Sequence, residues 1–115
     1  MSNTVNIEPV GLQRKRIKGF RLISPNGLDN TYVGWPSKWG NPWRNCSKQI
    51  AFEKYLEWIT KGDGRRLLAE LGELKRKNLV CWCGEDDPYC HRNILLDLAN
   101  DWGEYQSLIT GEYCA

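Results

Sequence analysis

Apolar positions in this chain recur with two different periods, and the switches between them mark out its elements. From Ser47, a residue suited to accept a helix's first free N–H groups, Ile50, Tyr55, Leu56 and Ile59 share one face with Phe52 beside them, which predicts a helix. Gly62-Asp63-Gly64 breaks it. Leu67, Leu68, Leu71 and Leu74 then form a stripe that predicts a second helix over residues 65–77. Residues 78–83 are the best strand of the sequence. Residues 91–102 are its best helix, with Ile94, Leu95, Leu98 and Trp102 on one side.

Earlier in the chain the pattern is weaker. Residues 14–23 mix basic and apolar side chains and read as an extended segment closed by the turn Ser24-Pro25-Asn26-Gly27. Residues 31–35 are a short β-type run. Residues 1–11 read as a loosely held arm, and residues 104–115 as a tail without a clear pattern. Strands alternating with helices predict a small single-domain α/β layered fold, its short sheet partly parallel and flanked by helices.

Composition bounds what such a fold can be. The 115 residues suit one domain, and 41% hydrophobic residues argue against disorder. A net charge of +2 is too small to imply nucleic acid by itself. Its distribution is more telling: Arg14, Lys15, Arg16, Lys18 and Arg21 are close together, where they either contact phosphate or form a solvated edge. No stretch reaches the roughly 18 apolar residues of a membrane span, and the first residues lack the pattern of a signal peptide. The expected location is the cytoplasm, where cysteines stay reduced and a cluster of them reads first as metal-binding or catalytic.

Such a cluster is present. Cys81, Cys83, Cys90 and His91, the only histidine, fall within eleven positions, two at the end of the predicted strand and two at the start of the predicted helix. Thiolate and imidazole are the preferred ligands of zinc, and three cysteines with one histidine make a known tetrahedral set. An iron–sulfur centre is the lesser alternative. Without metal, Cys90 at a helix start beside Arg92 is a candidate nucleophile with His91 as base, or the helix end a phosphate site. The plain alternative is that Cys81 and Cys83 are small buried strand residues. Cys46 and Cys114, remote in sequence, are expected to take no part.

The second candidate is the loop YVGWPSKWGNPWR, residues 32–44, with three tryptophans in nine positions. Aromatic faces beside cations suit the bases and phosphates of nucleotides or single strands. Ser37, Lys38, Trp39, Asn41 and Arg44, together with Arg92, are the candidate ligand-binding residues. The competing reading is that these rings roof a small core, since each can bury ~150–250 Å².

VGWPSKWGNPW, followed by LVCWC and PYCHRNILLDLA, resembles the phage and bacterial family designated domain of unknown function 4326, over residues 15–98. Trp35 stands where the family's loop carries arginine. The resemblance implies a coherent domain, in host cytoplasm if phage-encoded, and names no reaction. The residues themselves predict that the two loops face each other at one end of the sheet, with Ser37, Lys38, Asn41, Cys83, Cys90, His91 and Arg92 lining one pocket. The expected function is that of a small enzyme acting on a nucleotide, nucleoside or nucleic-acid end, with hydrolysis as its candidate reaction and His91, Asn41 and Cys90 catalytic. The alternative is a non-catalytic, metal-stabilised binding module for a host protein or single-stranded nucleic acid.

Overall fold

The computed structural model describes residues 7–105. Three strands, β1 (Gly11–Gln13), β2 (Asn30–Tyr32) and β3 (Asn78–Cys81), form one sheet in the order β1-β3-β2. Both pairings are parallel, with Gln13 opposite Cys81 and Tyr32 opposite Val80. All three carboxyl ends therefore open on the same edge of the sheet. The central strand is buried along its whole length, as expected of a strand flanked by parallel neighbours.

Asn78 fixes how the strands meet. Its side chain is fully buried; it accepts from the Val10 N–H and bonds to Asn26 and Asn30. A polar group at that depth is tolerable because its bonds are made. Gly11, at the end of the expected arm, instead opens β1, and the Val10 carbonyl accepts from Leu79. The expected extended segment after it has no strand in residues 14–23.

Helix α1 (Lys48–Lys61) begins where expected, with the Ser47 hydroxyl accepting from the Ile50 N–H. It stops at Gly62. The second expected helix is a tighter 3₁₀ helix and starts sooner, at Asp63–Glu73. A Cβ on Gly64 would sit 2.6 Å from the Trp58 indole, so the backbone at the helix start lies directly against that ring. Leu67 and Leu74 still point into the core. Helix α2 (His91–Asn100) ends two residues before the pattern suggests, because Asp101 takes a left-handed conformation (φ 56°). Buried Asp97 accepts from the Glu104 and Tyr105 N–H groups and fixes that exit, leaving Trp102 exposed. The core joins Val33, Tyr55, Ile59, Leu79, Ile94 and Leu95 between the sheet and the helices. Among the described residues no helix is long and apolar enough to cross a membrane. Residues 106–115, and with them Cys114 and most of the expected tail, lie outside the described region.

A cleft between the cysteine loop and the tryptophan loop

β3 delivers Cys81 to the carboxyl edge of the sheet, and the polar turn after it returns the chain so that Cys90 and His91 start α2. Cys81, Cys90 and His91 are all buried, and their ligand atoms lie within 4.8 Å of one another. Cys83, half-buried, hydrogen-bonds with both cysteines and stands at the edge of this set. Sulfur and nitrogen ligands on a tetrahedral zinc lie roughly 3.3–3.8 Å apart, given metal bonds of ~2.0–2.3 Å. A contraction of about 1 Å would close the set, so the donors fit that metal in both type and spacing.

The electrostatics suit a cation too. Hydrogen bonds from Cys83 and Cys90 hold the Cys81 thiol far below its ordinary value. The same bonds to Cys81 push Cys83 and Cys90 upward, Cys90 with the help of burial. A bound cation would replace protons on these sulfurs. His91 Nε2 lies 2.8 Å from the Val33 carbonyl. A carbonyl only accepts, so Nε2 carries the hydrogen and Nδ1 keeps the lone pair. Burial depresses the His91 pKa, which favours the neutral ring that a metal requires.

The tryptophan loop forms the facing wall. Gly34, Trp35, Asn41, Trp43, Arg44 and Cys46 line the same cleft as Cys81, Cys83, Cys90 and His91. The cleft has a volume of about 200 Å³. Asn41 and His91 are therefore on one side of the molecule. Asn41, however, is held within the protein: its amide donates to the Ala51 carbonyl and its oxygen accepts from the Trp43 N–H. Arg44 is free of such ties, and its guanidinium lies 4.7 Å over the exposed Trp35 ring.

Four expected ligand-binding residues are elsewhere. Arg92 is fully buried, and its guanidinium donates to the carbonyls of Leu12, Cys83, Gly84 and Glu85. It braces the cysteine loop against β1 and is not placed to hold phosphate. Lys38 turns away to pair with Glu70 and Glu73. Trp39 is core, its carbonyl accepting from the Tyr55 hydroxyl at 2.7 Å. The Ser37 hydroxyl is buried without a partner, outside the cleft lining.

Other residues enter unannounced. Cys46 lines the cleft despite its distance in sequence, because it sits just ahead of the Ser47 cap that starts α1. Lys48 lines it as well and bonds Asp87 of the cysteine loop at 2.6 Å, tying α1 to the other wall. Trp82, one residue past β3, also borders the cleft. The WGNPW wording marked the neighbourhood of Cys46, but no spacing rule connects positions 46 and 81 or 48 and 87.

Fold and site together define a small parallel α/β domain with a thiol- and imidazole-lined cleft at the carboxyl edge of its sheet. The chain belongs to the family Domain of unknown function (DUF4326), whose sequence model matches residues 12–101. No curated protein and no solved structure matches it.

Proposed function

We propose that the chain is a small zinc enzyme acting on a nucleotide, a nucleoside or the end of a nucleic-acid strand. One observation carries this reading: a single cleft is lined both by Cys81, Cys90 and His91 and by Trp35, Trp43 and Arg44. Two cysteines and one histidine are a ligand set of catalytic zinc, which leaves one coordination position for substrate. Cys81, Cys90 and His91 would hold the zinc, which would supply Lewis acidity toward a phosphoryl or carbonyl oxygen. Arg44 supplies a cation for phosphate, and the exposed face of Trp35 supplies a platform for a base. The described cysteines, Cys46, Cys81, Cys83 and Cys90, are all free thiols, which fits work in the reducing cytoplasm.

The alternative, a metal-stabilised binding module, has its own support. Asn41 and His91 Nε2 both spend their hydrogen bonds on backbone, and adding Cys83 as a fourth ligand would close the metal site. Incubating the metal-loaded protein with nucleotides and short oligonucleotides separates the two. The enzyme reading expects product with the wild type, and loss of at least 100-fold, roughly the size of a catalytic group's contribution, with His91→Ala. Trp35→Ala should weaken substrate binding. Binding without product across the whole panel would select the module.

A further inference from the structure

A second cleft begins on the β2–β3 part of the sheet and is linked to the first, at the carboxyl edge, through Arg14 against Trp82. It measures about 310 Å³ and is lined by Arg14, Phe20, Leu22, Asn30, Tyr32 and Val80. Arg14 and Trp82 stand between the two. The Arg14 guanidinium lies 5.2 Å from the Tyr32 ring and 5.2 Å from the Trp82 ring, and Trp82 borders the first cleft. Arg16 lies 4.2 Å over the same Trp82. Across the first cleft Arg44 covers Trp35. Cations laid on aromatic faces thus run from one cleft to the other.

These arginines differ from the neighbouring lysines. Lys38 and Lys48 are bound to carboxylates, whereas Arg14, Arg16 and Arg44 have no carboxylate partner among the described residues. A guanidinium resting on a ring at the surface is held weakly, and stacking by a nucleobase is worth more per contact. A base can displace the arginine, which then stays beside it, free to meet the phosphate. Glu85 and Asp86, exposed on the cysteine loop, oppose this field, but Arg14, Lys15, Arg16, Lys18 and Arg21 outnumber them.

We infer that this edge is a track for single-stranded nucleic acid, with bases on Trp82 and Trp35 and phosphates at Arg14, Arg16 and Arg44. The inference rests on the nucleotide reading of the cleft and narrows it to a strand longer than one unit. The size of the first cleft favours a strand: at about 200 Å³ it falls below the ~300–1,000 Å³ of pockets that enclose a whole small ligand. It takes one unit of a chain while neighbouring units lie over the edge. A duplex keeps its base faces covered and cannot use the rings.

Fluorescence anisotropy with a labelled oligodeoxythymidine of about twelve nucleotides tests this. Three phosphate contacts predict a slope of log affinity against log salt of about −2, at roughly −0.7 per contact on a single strand. Trp82→Ala should lower affinity roughly tenfold. Arg16→Ala, at an exposed position, should flatten the slope by about 0.7 without disturbing the fold, and it carries the test if Trp82→Ala does not fold. Thymidine monophosphate should compete poorly. The track is overturned if the monophosphate competes as well as the oligomer, if a duplex binds equally, or if neither variant changes binding. Turnover of mononucleotides without preference for the oligomer would sink the track and leave the cleft's nucleotide role standing. Oligomer binding that depends on Trp82 and Arg16, but without turnover, would establish the track and remove the enzyme reading.

Discussion

On one wall of the cleft Cys81, Cys90 and His91 are buried, with Arg92 bracing their loop from behind, and every one of the four is bonded to another part of the protein. On the other wall Trp35 is 54% exposed, and Arg44, also exposed, lies over its ring. The first wall is made of core side chains whose positions the fold dictates. The second is a loop fastened at a few points, chiefly Asn41 to α1 and the Trp39 carbonyl to Tyr55. Rigid placement suits groups that must hold an ion at fixed distances, and exposed rings suit recognition of a ligand that comes and goes. Under the proposed function, the difference gives the metal to one wall and ligand binding to the other.

Arg92 offers the hardest test of that contrast. Replacing it by methionine, close to it in length, leaves the buried Leu12 carbonyl, and the less buried carbonyls of Cys83, Gly84 and Glu85, without their charged donor. We expect a loss of about 3 kcal/mol or more in denaturant unfolding, since bonds to charged groups contribute ~1.5–3 kcal/mol each and orphaned acceptors add cost. Gly11 has no room to spare beside it, because a Cβ there would lie 2.5 Å from Arg92 Nε. An Arg92→Met protein of wild-type stability would erase the distinction between a built wall and a loose one.

Tyr55→Phe probes the fastening of the open wall. It removes only the buried hydroxyl that holds the Trp39 carbonyl, at a cost of about 1–2 kcal/mol by the same measurement. The smallest effect belongs to Trp35→Ala. An exposed ring away from the core should change stability by no more than about 0.5 kcal/mol, while ligand binding falls. A large stability loss there would make Trp35 a structural roof and move it out of the binding wall.

The two walls also differed in how readable they were. The cysteine wall was legible because its ligands are local: two end a strand and two begin a helix, so spacing alone brings them together. The tryptophan loop was legible as a neighbourhood and not residue by residue. Lys38 and Arg44 are both cations in the same loop, and only tertiary contact shows that one meets Glu70 and Glu73 while the other faces the cleft. Arg92 was misread for a related reason. A cation at a helix start suggests an anion site, but here backbone carbonyls of two distant segments take its bonds. Cys46 entered the cleft through the placement of α1, which no sequence interval encodes. From Ser47 onward the elements followed their patterns, except that the second helix took 3₁₀ form and Asp101 cut α2 short; before them the expected arm opened β1 and residues 14–23 formed no strand.

The central claim is that Cys81, Cys90 and His91 hold a metal beside the binding loop, and metal content tests it most directly. Protein purified without chelator should carry about one equivalent of zinc by elemental analysis, and stripping it should lower thermal stability steeply, since structural zinc contributes ~10 kcal/mol or more in small folds. Cys90→Ser should abolish retention. Measured alongside, Cys46→Ser shows whether the cysteine across the cleft takes any part, and a coloured preparation would exchange zinc for an iron–sulfur centre. Protein that is metal-free, colourless, fully folded and indifferent to chelator would contradict the account.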